Sequence, residues 1–467
     1  MQKPSRRYPR HKILILAMAS LTSFTFGGVA HSQTMTFKQV VERTLSQNPN
    51  MTVSQAQISR AQAALAKAEN SRMPQVKLSV IGSLSNNPLN VFGMKLQQRQ
   101  ATFNDFGAGS FMQNQNVHEA PDNLNEPSSH TDLNTRLEVM VPVWNGGRIG
   151  LYQEQARSMI RAAQGGEEAT KQFLVFNNYQ AYEAVHAARA YIAVAKQAKK
   201  TADEFVRMTS NLVEQGVIVR SELLSAQVNQ ANANVALMKA QEQEQMALDA
   251  LKILMNMDLS EPLDVGESTD FDVTGMTIEQ IVQKALSQNP ELLAMREQIE
   301  AEKKSIKVAQ SENLPSFNVM VRQDWNDENI GLGSSSYTVA GVAAWTLTDF
   351  GVTKSAVEMA RAATDEKKAQ LQAKENDVRM NIYKAWRSLN IAKTQVNSTQ
   401  LAVEQATKAQ ELIKRRFEGG VATITEVLAS QTQLDKANAD LVQAQYDVKI
   451  QQAQLRMLAG MIDIQTI

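Results

Sequence analysis

The chain has 467 residues, 48 of them basic and 48 acidic, and no cysteine. That excludes disulfides, thiolate metal sites and a lipid-modified N-terminal cysteine. The zero balance hides an asymmetry: Lys3, Arg6, Arg7, Arg10 and Lys12 are the only formal charges in 1–32, so the rest of the chain is five charges acidic, with no basic surplus for nucleic acid.

Residues 1–32 read as a secretory signal peptide. The basic stretch ends at Lys12, an apolar run follows from Ile13 to Val29, and Ala30 and Ser32 supply a small-x-small cleavage site, with the cut expected after Ser32. Tyr8-Pro9 after Arg6-Arg7 fits twin-arginine export poorly, so ordinary export is expected. The alternative, a membrane anchor, is disfavoured because the apolar run is short for a span of about 20 residues. No other segment is apolar for 18 residues, so any membrane crossing must be made by strands.

Beyond the signal the chain is written twice, 33–265 and 266–467. Leu45-Ser-Gln-Asn-Pro49 recurs as Leu286-Ser-Gln-Asn-Pro290, an offset of 241 that Pro74 and Pro315 keep. Farther on the offset is 204, which aligns Pro142-Val-Trp-Asn-Gly-Gly147 with Thr346-Leu-Thr-Asp-Phe-Gly351, Glu214 with Glu418, and Leu254 with Leu458. The first copy therefore holds 37 extra residues between Pro74 and Pro142. Each copy predicts a short helix ended by proline, a helix of about 22 residues, two strands, and a long helical region broken once, near Gly216 or Gly419-Gly420.

The strands alternate. Val76, Leu78, Val80, Gly82 and Leu84 share one face; so do Leu133 to Val143, Phe317 to Val321 and Tyr337 to Leu347, each by twos. Such a period means one face is buried, in protein or in lipid. Lipid is favoured by lengths near 10 residues, by polar neighbouring helices, and by aromatics at the segment ends: Phe317 and Trp345 at one, Trp325 and Tyr337 at the other. Four strands cannot close a membrane barrel. Two chains would fill the interior with side chains; three, with twelve strands, leave a lumen suited to small residues such as Ser79, Ser83, Thr338 and Ala340.

Residues 149–215 and 352–419 contain no proline, a length that as helix would reach roughly 100 Å. Gly165-Gly166 predicts a local bend. Ser221–Met257 and Thr425–Gly460 run back as partner helices, with a seven-residue step Leu434, Leu441, Val448, Leu455 and abundant alanine for thin seams. Residues 86–130 read as a long external loop, within which Asn87–Arg99 has the composition of an ordered segment. His118 and His130 lie near acids there but are expected to be solvated, and His186 structural. No phosphate loop, Ser-His-Asp pattern or zinc spacing is present, so neither catalysis nor a cofactor is expected.

The doubled Leu-Ser-Gln-Asn-Pro ends, the strand exits 142–148 and 347–351, and the turns Glu214–Leu224 and Phe417–Leu428 together resemble the TolC-like outer-membrane efflux family, across essentially the whole mature chain. The resemblance implies a mostly α homotrimer with four strands per chain in a twelve-strand outer-membrane barrel and a helical tunnel in the periplasm. It also implies a periplasmic adaptor, an inner-membrane transporter as energy source, and passive conduction of drugs or toxic ions. At the tunnel entrance it implies an acidic ring from Glu222 and Glu426, six carboxylates in a trimer; the alternative is helix-start stabilisation. The family's second acid and its arginine are replaced by Ala429 and Ala422. The turns Gly216, Val217, Gly420 and Val421, with Leu224 and Leu428, are the expected adaptor contact. A type I protein-secretion duct and a periplasmic coiled-coil adaptor are the competing readings.

Overall fold

The structure is a computed structural model that describes residues 33–271 and 275–462; the expected signal peptide and its cleavage site lie outside the described residues. Its first half runs β1 (Gln33–Met35), α1 (Phe37–Gln47), α2 (Pro49–Asn70), β2 (Gln75–Ser85), α3 (Pro88–Gln97), a 3-10 turn (Phe103–Phe106), α4 (Ala108–Asn114), α5 (Asp122–Asn125), β3 (His130–Trp144), α6 (Arg148–Glu214) and α7 (Arg220–Leu254). The second runs β4 (Leu263–Val265), α8 (Ile278–Gln288), α9 (Pro290–Ser311), β5 (Ser316–Asp327), β6 (Ser335–Ala344), α10 (Val352–Glu418) and α11 (Ile424–Leu458). Corresponding helices match in length: 11 residues in α1 and α8, 22 in α2 and α9, 67 in α6 and α10, and 35 in α7 and α11.

The repeated Asn-Pro has a local cause. Asn48 ends α1 and N-caps α2, its side chain accepting from the Asn50 amide at 2.9 Å, while proline at the first helical position loses no bond. The Asn48 amide also donates to the Leu254 carbonyl at 2.8 Å, closing the end of α7. Asn289 repeats both roles, capping α9 and donating to the Leu458 carbonyl at 3.2 Å.

The strands form one antiparallel sheet, β2-β3-β5-β6, and β1 pairs with β4 in a second, parallel one. The helices that leave the larger sheet stand in the same order as its strands, α2 beside α6, α6 beside α9, α9 beside α10. Farther along, α7, α6, α11 and α10 adjoin in turn. The molecule is therefore one wall, four elements wide, with strands at one end and two helix-turn-helix tips at the other. Its core lies midway. Phe37, Tyr179, Tyr182 and Phe271 pack edge to face with ring centroids 4.5 to 6.0 Å apart, and α8, α9, α10 and α11 build a second cluster around Ile281, Leu292, Ile382 and Leu389.

Three local features refine these expectations. Helix α6 runs unbroken through Gly165-Gly166; a Cβ on Gly165 would lie 3.1 Å from that of Ala294 and 3.2 Å from the Pro290 carbonyl, so this glycine permits the close approach of α9. Strand β6 stops at Ala344, and Trp345 and Leu347 follow it in the turn towards α10. The thin alanine seam is present, with Ala226, Ala233, Ala240 and Ala247 of α7 and Ala437 and Ala444 of α11 buried; of the seven-residue step Leu455 is fully buried, whereas Leu434, Leu441 and Val448 are only half-buried. A methyl-sized seam lets antiparallel helices close up, which leaves the larger side chains at its margin.

Candidate functional site: the strand belt and the helical tips

The register places side chains on two faces. One carries Val76, Leu78, Val80 and Leu84, then Leu133 to Val141, then Phe317, Val319, Val321 and Trp325, then Tyr337 and Val339. Much of it is uncovered in the single chain; Leu78 is 65% exposed and Val339 63%. A hydrophobic area of this extent on one side of a sheet marks a surface that something apolar covers. The other face carries Ser79, Ser83, Asn134, Arg136, Glu138, Arg322, Asp324, Asn326, Thr338 and Ala340. There Arg136 Nε donates to Asp324 at 2.7 Å, Arg322 meets the same carboxylate at 2.7 Å, and Asn134 donates to Asp324 and Asn326 at 3.2 Å.

The aromatics lie near the two strand ends. Phe317 opens β5 and Trp345 follows β6, its indole donating to the Asn313 carbonyl at 3.0 Å; Trp325 and Tyr337 lie near the turn that joins the two strands. Sequence reasoning missed Trp144, which a bulge after Pro142 sets opposite Phe317 with ring centroids 5.7 Å apart. The signal was its place in the strand exit 142–148. The sheet's outer strands, β2 and β6, each pair on one side only. Strands alternate in direction across the sheet, so β6 of one copy would meet β2 of the next antiparallel, as ring closure requires.

At the far end, α6 turns into α7 and α10 into α11 through matching devices. Gly216 and Gly420 adopt φ of 72° and 74°, the Val217 amide donates to the Leu212 carbonyl at 2.9 Å, and the Val421 amide to the Arg416 carbonyl at 2.8 Å. These six-to-one bonds close the helices and need a residue without a Cβ penalty. Gly419, at φ −83°, does not. Val217, Leu224 and Val421 project into solvent. Leu428, expected to share that surface, is only 8% exposed and packs with Phe205, Ile424 and Val427 beneath the tip. Glu426 completes a capping box: its carboxylate accepts from the Thr423 amide at 3.0 Å and its own amide donates to Thr423 Oγ1 at 3.3 Å. Glu222 stands at the corresponding start of α7, but there is no capping side chain at Val219, and its Oε2 has no partner.

A polar-face belt with open edges, an aliphatic face without cover, and long helical hairpins continuing from the strands define a class of protein that meets an apolar phase along its strands and extends a helical wall away from it. The comparisons agree. The model of the outer membrane efflux protein family matches residues 40–257 and 281–461, and the chain belongs to that family. It is an outer-membrane protein that extends into the periplasm. It is 23% identical over 332 residues to the outer membrane protein TolC of Vibrio cholerae, covering 67% of this chain and 74% of the relative. It is 19% identical over 345 residues to the alkaline protease secretion protein AprF of Pseudomonas aeruginosa, covering 70% and 69%. The fold is shared with the Campylobacter jejuni CmeC outer membrane channel at a TM-score of 0.72 and 18% identity, over 92% of this chain and 88% of that one.

Proposed function

We propose that three copies of this chain close a twelve-strand barrel and a helical tunnel, forming the exit duct of a tripartite efflux system that conducts small molecules passively. The observation that carries this is the sheet with two open edges and one bare aliphatic face. Open edges in lipid cost several kcal/mol for each unpaired backbone group, and antiparallel closure between copies removes them. The continuous helical wall supports a tunnel on the same axis. In this reading Phe317, Trp325, Tyr337 and Trp345 form the membrane girdle, and Glu222 and Glu426 line the periplasmic aperture. Gly216, Val217, Leu224, Gly420 and Val421 meet a periplasmic adaptor that links the duct to an inner-membrane transporter, and Leu428 supports that tip from within. The chain itself catalyses nothing and binds no cofactor.

The test is the protein mass of the detergent-extracted outer-membrane complex, measured by light scattering with the detergent subtracted. A three-chain particle is expected; a water-soluble monomer or dimer overturns the channel and favours a coiled-coil adaptor. The likeness to AprF supports one second reading, a duct for protein secretion. Deleting the gene separates the two, since sensitivity to toxic small molecules marks efflux and loss of one secreted protein marks secretion.

A further inference from the structure

The connection between β2 and β3, residues 86–129, is where the first half exceeds the second, whose strands are joined by 328–334 alone. It is a folded unit. Lys95 Nζ meets Asp105 at 2.6 Å, and the rings of Phe92 and Phe106 pack edge to face at 4.9 Å. At Gly107 the chain turns at φ 83°, so close to Pro121 that an added Cβ would lie 2.4 Å from the proline Cβ.

We propose that this unit is an inward-folded cap that narrows the outer mouth of the channel, held there by a latch centred on Gln98. The proposal rests on the channel reading above, which makes the aliphatic face the lipid face and the opposite face the pore lining. The latch is on the pore-lining side. The Gln98 amide donates to the Thr131 carbonyl at 2.8 Å and to Asp132 Oδ1 at 3.0 Å, and its Oε1 meets His130 Nε2 at 2.7 Å. Asn326 of β5 donates to Asp132 Oδ2 at 2.9 Å and to Gln97 at 3.4 Å. Ser334 donates to the Gln98 carbonyl at 2.5 Å and Arg99 to the Ser335 carbonyl at 2.7 Å. The segment thus bridges two strand connections at the end of the sheet farthest from the helices.

Gln98, Asp132 and Asn326 are 4%, 5% and 3% exposed in the isolated chain. A buried carboxylate held by neutral amides is stable only while its donors stay in place, so the latch holds the end of α3 against the pore-side face. The unit also brings bare apolar side chains, Phe103, Phe111 and Met112. Three caps would therefore set apolar surface around the mouth, the kind of surface that resists wetting.

The full-length protein is reconstituted in planar bilayers, and polyethylene glycols of graded size are added on the cap side. Wild type is compared with Gln98→Ala and with a variant whose residues 88–128 are a short Gly-Ser turn; a heat-sensitive oligomer band on gels confirms folding of each. The largest polymer that enters from the cap side is expected to rise in molecular mass by about twofold or more in both variants. Because the chain lacks cysteine, Met112→Cys carries the only thiol, and a charged methanethiosulfonate is expected to lower its current and leave wild type unaffected. An unchanged polymer cut-off, with the modified cysteine conducting normally, overturns the cap while leaving the channel standing. No current from either wild type or the capless variant overturns the channel reading itself.

Discussion

Two glutamates at matching positions hold different jobs. Glu426 bonds the Thr423 amide and so stabilises the start of α11, whereas the Glu222 carboxylate has no such bond. Glu426→Gln keeps a capping-box side chain, and neither Glu426→Gln nor Glu222→Gln disturbs a helix start; each is expected to reduce cation preference, read as a shift in reversal potential under a salt gradient. Glu426→Ala adds a loss of about 1 kcal/mol in helix stability, read as faster hydrogen exchange across 424–428. The turns sort their glycines as sharply. Gly420→Val forces a β-branched residue to φ 74° and is expected to cost about 1–2 kcal/mol, whereas Gly419→Ala, at an ordinary φ, is expected to be nearly silent in the same exchange measurement. Phe350 is the inverse case. It sits at φ 52° where the first half has Gly146, and its ring is 97% exposed. Phe350→Gly is expected to stabilise the detergent-solubilised protein by about 1 kcal/mol, read as a higher denaturant midpoint.

The elements were legible wherever a local rule decided them. Asn-Pro ended two helices and began two more because the same side chain can finish one and cap the next, and strand alternation named both faces because the register keeps it. What escaped were outcomes set by neighbours. Gly165 reads as a bend until α9 is laid against it, and the alanine content announces a thin seam without saying that, of the seven-residue step, Leu455 alone would be fully buried. Leu428 reads as surface beside Leu224 until Phe205 of α6 arrives. The fold inside 86–129 was least legible, since its order depends on contacts with β3 and β5 rather than on periodicity. That seam predicts that Ala233→Leu or Ala437→Leu costs about 1–3 kcal/mol by overpacking, measured as a lowered denaturant midpoint. Acid resistance also belongs to this scale. The Lys95 bond, aided by Thr102, lowers Asp105 from 3.8 to about 2. A depressed carboxyl contributes stability that is present above its unfolded value and lost as pH falls through its folded one. Proteolysis of 86–129 is therefore expected to be constant from pH 7 to about 5, and to rise only as pH falls from about 4 towards 2.

Across the whole molecule, the charge network midway along the wall ties the halves together. Glu183 of α6 accepts from Lys449 of α11 at 3.2 Å, and Arg189 of α6 reaches Glu244 at 2.7 Å and Asp264 at 2.5 Å. Removing the Lys449 ammonium, as in Lys449→Met, leaves the 3%-exposed Glu183 side chain with the Ser268 hydroxyl and the Thr269 amide as its donors and is expected to cost about 1–3 kcal/mol, read as a lowered denaturant midpoint. The central pairing of the belt sets a schedule of a different kind. Arg136 and Asp324 join β3 to β5 across 188 positions of chain, while each helical hairpin closes on its own neighbour. Export delivers the first half before the second, so α6 and α7 can fold while β2 and β3 wait with a bare edge for a partner still crossing the inner membrane. The belt is thus expected to form last, and through that interval a two-stranded ribbon with a bare edge is the part of the chain most open to aggregation.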